Sequence, residues 1–345
     1  ISNALDGGVQ IFSLAIAVQN LIWGLSSPFF GAAADRFGAW RVAAFGVMIY
    51  AAGLLSMAFV VTESGIFFGQ ILIGMGLGSA GISIAVGAAA RAAPPEKRSL
   101  AMGLVTSFGS FGQFALVPVA QIMMNEHGWQ FAIVILSAIV ASMVAVTLGM
   151  RVPAGGARPL EGITQSAGSA LRQATGSRDY ILLTIGFFVC GLQLVFITTH
   201  LPTYLQDAGL SAEIASWSLA LIGLFNIIGA FMCGWLGGIV SKKKTLAIVY
   251  LLRGLIIAGF ISLPASPAMA LFFGAAMGLL WLGTIPLTSG LIIAFFGPRH
   301  LSMLYGLVFL SHQIGSFAGA WLGGIWYDVF DNYEAMWWLN AAAGF

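Results

Sequence analysis

One cation lies where charge is costly. Arg253 sits in Leu246-Ala-Ile-Val-Tyr250-Leu-Leu-Arg253-Gly-Leu-Ile-Ile, a run otherwise apolar. Counted from Lys244 at ~1.5 Å per helical residue, its Cα falls roughly 13 Å along a helix. A charge inside a bilayer costs ~2.5–3.5 kcal/mol or more, so it normally faces a cavity or a partner. None of the twelve acidic residues falls inside an apolar run, so no carboxylate at that depth can pair with it. A planar guanidinium suits a carboxylate, and the chemistry that fits is recognition of an anion brought from outside the chain. The competing reading is an arginine that snorkels to the nearer face or hydrogen-bonds to carbonyls. His200 and His312 are the histidines in or near apolar runs. Imidazole titrates near neutral pH and relays protons, and neutral packing is the alternative for each. Gln19, Asn20, Ser107, Ser110, Gln113, Gln193, Asn226 and Thr284 also lie within apolar runs. Such groups need partners or water, which makes them candidates to line a polar cavity or to bond helix to helix.

Other chemistries find no support in the pattern. Cys190 and Cys233 lie inside apolar runs and read as packing residues rather than a disulfide or metal pair. A membrane-embedded enzyme needs clustered carboxylates or a histidine-rich metal site, and the histidines are scattered. Neither a catalytic site, a metal site nor a cofactor is therefore expected. The glycines of Gly74-Met-Gly76-Leu-Gly78-Ser-Ala-Gly81 follow no strand and say nothing of nucleotides. No ATPase motif of the form G-x-x-x-x-G-K-[ST] occurs, and no basic stretch exceeds Lys242-Lys243-Lys244, which argues against nucleic acid as a partner.

The elements that must position these residues are membrane helices. Hydrophobic residues make up 59% of the chain and charged residues 8%, with mean hydropathy +0.96; a soluble domain carries about a quarter charged residues. Apolar runs long enough to cross a ~30 Å hydrocarbon core as helices recur at roughly 11–33, 40–61, 65–90, 99–123 and 129–150. More follow at roughly 180–205, 214–240, 245–264, 268–296 and 301–326, and a last begins near 335. The stretch 151–178 has linker composition and separates an N-terminal half, 1–150, from a C-terminal half, 179–345. Lys and Arg set the orientation. With Ile1 outside, Arg36, Arg41, Arg91, Lys97, Arg98, Arg151, Arg158, Arg172, Arg178, Lys242–Lys244 and Arg299 fall on one side, and the opposite loops carry only acids. The basic side, with the central loop, is expected to be cytoplasmic and the lipid to be a bacterial inner membrane.

An internal repeat accompanies this topology. Gly31-Ala-Ala-Ala-Asp35-Arg36-Phe-Gly38-Ala-Trp-Arg41 answers to Gly234-Trp-Leu-Gly-Gly-Ile-Val-Ser-Lys-Lys-Lys244, and Pro95 to Ser99, with Gly103 and Gly112, answers to Pro298 to Ser302, with Gly306 and Gly315. Both correspondences share one offset of 203 residues, the mark of a duplicated unit. Five runs precede the linker, and no Met or signal pattern opens the sequence. The expectation is two pseudo-symmetric six-helix halves with helix 1 missing and helix 12 truncated.

Gly31-x-x-x-Asp35-Arg36-x-Gly38-x-x-Arg41 resembles the loop signature that major facilitator transporters carry between their second and third helices. The resemblance implies an all-α membrane fold of two six-helix halves, alternating access, and a conformational latch at Gly31, Asp35, Arg36, Gly38 and Arg41, with the acid facing a helix end across the halves. In the second copy Gly238 replaces the acid. By the same resemblance the cavity-lining candidates narrow to Gln19, Gln113, Gln193, Asn226, Trp281 and His312; ninth helices, where Arg253 falls, tend to be peripheral in that family, which favours the snorkelling or carbonyl-bonded reading of Arg253 over its anion-binding one. Ala17-Val-Gln19-Asn20-Leu-Ile-Trp23-Gly24, Thr199-His200-Leu-Pro202-Thr-Tyr204 and Leu310-Ser-His312-Gln313-Ile-Gly315 look like bacterial members of the monocarboxylate porter group. That likeness implies a small organic anion as substrate, commonly carried with protons; His200 and His312 are the candidates to couple the proton, and a monomer is expected. An Asp/Arg pair common in that group is replaced here by Asn226 and Ala230. The alternatives are an exporter of amphiphilic compounds and a membrane sensor that binds without transporting.

Overall fold

The computed structural model describes residues 8–60, 62–151 and 166–345, with the side chains of 8–13, 113, 114, 117, 118 and 121 left aside. The described residues form helices and connecting turns, without strands. In hydrocarbon every backbone N–H and C=O must be satisfied within the segment, which a helix does by itself. The N-terminal half contains α1 (Gly8–Phe37), α2 (Ala39–Phe59), α3 (Glu63–Ala80), α4 (Ile82–Ala92), α5 (Arg98–His127) and α6 (Trp129–Thr147). After a short helix in the linker region, α7 (Ala167–Thr175), come α8 (Arg178–Asp207), α9 (Ala212–Ile239), α10 (Lys242–Ser262), α11 (Pro267–Leu280), α12 (Thr284–Phe296), α13 (Leu301–Phe330) and α14 (Glu334–Ala342). Nine stretches among the described residues are long and apolar enough to cross a membrane, and the 30-residue α5 occupies the position of a further expected span.

Local chemistry sets the ends. Gly38 joins α1 to α2 at φ 97°, a backbone conformation that a side chain disfavours. Thr62, Ser211 and Ser266 accept from the backbone N–H three residues on, satisfying donors that the first helical turn leaves open. Pro267 stands at the first position of α11, where its missing N–H costs nothing.

The runs at 65–90 and 268–296 each remain one membrane-length stretch, as expected, but each is built of two helices. The first breaks at Gly81, whose ψ of −162° leaves the helical region; the second breaks between Leu280 and Thr284. Under the repeat offset the two breaks coincide within three residues. Interrupted helices in corresponding positions of two repeats leave backbone groups to be bonded by something else.

By contact the chain divides into two compact units, each drawing on both sequence halves. One comprises the described residues of Ile1–Ala92, Ala115–Arg178 and Phe296–Leu310; the other comprises Ala93–Phe114, Asp179–Phe295 and Ser311–Phe345. In the first, α3 packs on α1 and α2, and α2 packs on α6. Gly53 and Gly69 let α2 and α3 approach until an added methyl at either would meet backbone of the other. In the second, α9 packs on α11, and α10 packs on α11 and α14.

Candidate functional site

In the first unit, the end of α1 meets the start of α13. The Asp35 carboxylate accepts from Arg91 Nη1 at 2.7 Å, from the Met303 N–H at 2.9 Å and from the Ser302 N–H at 3.3 Å. Both N–H groups belong to the first turn of α13, which has no acceptors of its own and carries the positive end of the helix dipole. Asp35 thus caps a helix 267 residues away, and its side chain is 2% exposed. Arg91 Nη1 also donates to Ser302 Oγ at 3.2 Å. Gly31 and Gly306 bring the helices together: a methyl at Gly31 would run into the Ser302 carbonyl, and one at Gly306 would stand 2.7 Å from the Ser27 carbonyl oxygen. Of the expected latch residues, Gly31 and Asp35 are in this cluster and Gly38 makes the adjoining turn. Arg36 lies over the Phe37 ring, and Arg41 donates to the Phe37 carbonyl and lies over Trp40. The base that meets Asp35 is Arg91, which sequence reading had only counted as a basic-side charge. A signal was present. The offset pairs Asp35 with Gly238 and Arg91 with Ala294, so the second copy lacks acid and base together.

The second unit holds the repeat's counterpart of this junction. A methyl on Gly103 would stand 2.7 Å from Gly234 Cα, and one on Gly237 would collide with Ser99 Oγ. Ser107 Oγ donates to the Ile227 carbonyl at 2.9 Å. The α5 start therefore meets α9 as the α13 start meets α1, without the charges, and buried Ser99 Oγ has no hydrogen-bond partner among the described residues.

Arg253, fully buried, is bonded to the broken helix. Its Nε donates to the Leu280 carbonyl at 3.0 Å, its Nη2 donates to the Leu280 carbonyl at 2.6 Å and to the Trp281 carbonyl, and its Nη1 reaches Cys190 Sγ at 3.3 Å. Tyr250 presents its ring 5.5 Å from the guanidinium carbon. Leu280 ends α11, so the cation sits on the negative end of a helix dipole. Charge-assisted bonds contribute ~1.5–3 kcal/mol each, which together offset the ~2.5–3.5 kcal/mol of placing the charge at this depth. No described carboxylate lies within ion-pair distance of it. Asn226 holds the other side of the break: its Oδ1 accepts from the Leu282 N–H at 2.9 Å, and its Nδ2 donates to Ser110 Oγ at 2.7 Å. Arg253, Asn226 and Trp281 thus come together around residues 280–282.

Cys190 extends this cluster to α13. Its sulfur lies 3.4 Å from Thr284 Oγ1 and beside His312, whose ring tilts against Phe187. Sequence reading took Cys190 for packing, and its polar surroundings come from three helices distant in sequence.

The remaining candidates are placed apart from the break. His200 Nε2 lies 3.0 Å from the Ala320 carbonyl, which can only accept, so Nε2 carries the proton and Nδ1 accepts from the Tyr333 hydroxyl at 3.1 Å. Burial pushes the Tyr333 hydroxyl above its usual range, and it stays a donor. Gln193 is fully buried and donates from Nε2 to the Asn340 carbonyl of α14 at 2.9 Å. Gln19 lies half-buried in the first unit, its carbonyl against Gly74. The Gln113 side chain lies outside the described residues.

Comparison with known proteins agrees with this architecture. The family description Major Facilitator Superfamily matches residues 1–284 and 213–345. The uncharacterized MFS-type transporter YcxA of Bacillus subtilis (strain 168) is 24% identical over 343 residues, covering 96% of this chain and 83% of that protein. Monocarboxylate transporter 13 of Rattus norvegicus is 27% identical over 334 residues, covering 94% and 74%. The putative niacin/nicotinamide transporter NiaP of Bacillus subtilis (strain 168) is 26% identical over 329 residues, covering 88% and 76%. Among solved structures, a variant of the E. coli fucose:proton symporter FucP superposes with a TM-score of 0.77 at 16% identity over 97% of this chain and 89% of its own. These relatives and structural neighbours are transporters, not enzymes. A helical chain with nine membrane-length apolar stretches among its described residues, matched over its whole length by one family description, is a multi-pass membrane protein and belongs to the Major Facilitator Superfamily.

Proposed function

We propose that this transporter carries a small organic anion of the monocarboxylate kind by alternating access, with a proton moving in the same direction. The observation that carries the reading is Arg253, a mid-helix guanidinium with no carboxylate within ion-pair distance among the described residues. Every described carboxylate lies within a few residues of a helix end, so none of them answers the guanidinium at the α11–α12 break. An anion that takes the guanidinium gains from it, and a cationic drug meets no described carboxylate there. In this conformation Nε and Nη2 are held by carbonyls of the break, which leaves Nη1, on Cys190 Sγ, as the donor a substrate carboxylate can take. Two relatives support the substrate class by name, a monocarboxylate transporter and a putative niacin/nicotinamide transporter.

In the same reading the basic side faces the cytoplasm of a bacterial cell. Asp35 and Arg91 hold that side shut, and the glycine-lined α1–α13 and α5–α9 junctions part when it opens. The test is uptake of labelled pyruvate, lactate and nicotinate into proteoliposomes, with and without an inward proton gradient. Gradient-driven accumulation that a protonophore abolishes is the expected result. Failure of every acid to enter would refute the substrate class, and binding without flux would make the protein a sensor.

A further inference from the structure

One of the neutral groups around Arg253 can become an anion. Cys190 Sγ is fully buried on α8, with the guanidinium Nη1 at 3.3 Å, the Thr284 hydroxyl at 3.4 Å and the His312 ring beside it. All three are able to donate. A thiol is a weak acceptor with one hydrogen to give, whereas a thiolate accepts from all three. Charge argues the same way. Arg253 cannot lose its proton, net charge in the bilayer interior is costly, and no described carboxylate is in reach. Of the other ionisable groups that face the guanidinium, Tyr250 on α10 meets it with its ring face. Cys233 on α9 packs its sulfur against Gly283 and feels the charge through space. His312 Nδ1 lies 3.3 Å from Gln313 Oε1 and 3.4 Å from Ser316 Oγ, so its ring finds a partner in either tautomer.

We propose that Cys190 is the proton-coupling site, ionised as the counter-ion of Arg253 when no substrate is bound and protonated when an organic anion takes the guanidinium. The inference rests on the anion–proton reading above. In the step, the Arg253–thiolate pair plus one proton and one substrate carboxylate becomes an Arg253–carboxylate pair plus a neutral thiol. The sulfur is neither oxidised nor reduced, and the cluster is neutral before and after. Nη1 changes partner, while Nε and Nη2 stay on the Leu280 and Trp281 carbonyls. Because the proton must arrive with the anion, affinity falls about tenfold per pH unit above the thiol's titration.

The experiment uses the full chain carrying Cys233→Ala, so that Cys190 supplies the thiol signal, with pyruvate and nicotinate as probes. Infrared spectra of the reconstituted protein are expected to lack an S–H stretching band at neutral pH and to gain one when either probe is added. A band present with and without probe would overturn the proposal. In proteoliposomes Cys190→Ser is expected to lose gradient-driven accumulation and the pH dependence of probe affinity, with helical circular dichroism and a monodisperse elution profile in detergent reporting that the variant is folded. Accumulation at the parent level in Cys190→Ser would also overturn it. If the parent protein binds the probes but never couples them to protons, the proposed function fails instead, and the infrared band still decides whether Cys190 is the counter-ion of Arg253.

Discussion

Asp35→Asn removes one negative charge from the start of α13 and should loosen the end of the first unit. The carboxylate accepts three bonds, from Arg91 and from the Ser302 and Met303 N–H groups. The asparagine oxygen still accepts one of them, but its NH2 must face donors. Bonds to a charged group contribute ~1.5–3 kcal/mol each. Arg91 is 23% exposed and recovers part of its loss in water. The net cost to the closed arrangement is then ~2–3 kcal/mol, below the 3–5 kcal/mol of stranding a fully buried partner. At 1.4 kcal/mol per tenfold, the open population rises roughly 30- to 150-fold. The readout is Ser27→Cys. Ser27 is buried where Gly306 of α13 crosses α1, so modification there requires the junction to part. A small soluble maleimide would be applied from the basic side, with modification at residue 27 followed by peptide mass. The labelling rate should rise by that factor in Asp35→Asn. A rate within twofold of the parent, in protein that still binds substrate, would refute the idea that Asp35 holds this junction.

Three further expectations follow from the same geometry. Arg253→Met leaves the Leu280 and Trp281 carbonyls without their donor and should cost ~2–4 kcal/mol of stability, read as a lower unfolding midpoint in detergent; Arg253→Lys should fall between, and a midpoint unchanged in Met would contradict the helix-end role. Asn226→Ala strands the Leu282 N–H, while Ser110 Oγ loses one donor and keeps its bond to the Thr106 carbonyl; it should cost ~1–3 kcal/mol, read as a lower unfolding midpoint in detergent. Gly238→Asp places an acid at the position the repeat pairs with Asp35. The nearest atom to a new Cβ is the Glu96 carbonyl oxygen at 3.8 Å, and Ser99 Oγ is unpartnered nearby. A charge at the α5 start is worth ~0.3–1 kcal/mol, so Ser27→Cys labelling should slow about two- to fivefold; faster labelling would count against it.

The apolar runs, the basic-side asymmetry and the 203-residue offset are properties of order along the chain, and the sequence carries them openly. Helix positions agree with that reading because lipid leaves the backbone few alternatives. The two helix breaks were not legible, since a Gly-rich or Trp-Leu-Gly stretch stays apolar whether or not its hydrogen bonds continue. Among the candidate residues, Asn226, Trp281 and Arg253 were picked out by polarity or family position, and they meet at one break. Gln193 and His200 were picked out by the same signal, and their described hydrogen bonds run to α14, to Tyr333 and to the Ala320 carbonyl. Polarity in an apolar run says that a partner is required, without saying which.

By itself the sequence determined that the solvent is lipid, that the chain is duplicated, and that a cation lies mid-membrane without an acid beside it. Those facts depend on composition and spacing. What the tertiary structure alone decided is who partners whom. Asp35 meets Arg91 and the first turn of α13, and Arg253 meets the end of α11 and the sulfur of Cys190. Each of these contacts joins residues from different helices, brought together by helix packing. Their energies come from desolvation and from direction at the point of contact, and neither leaves a trace in the order of residues along the chain.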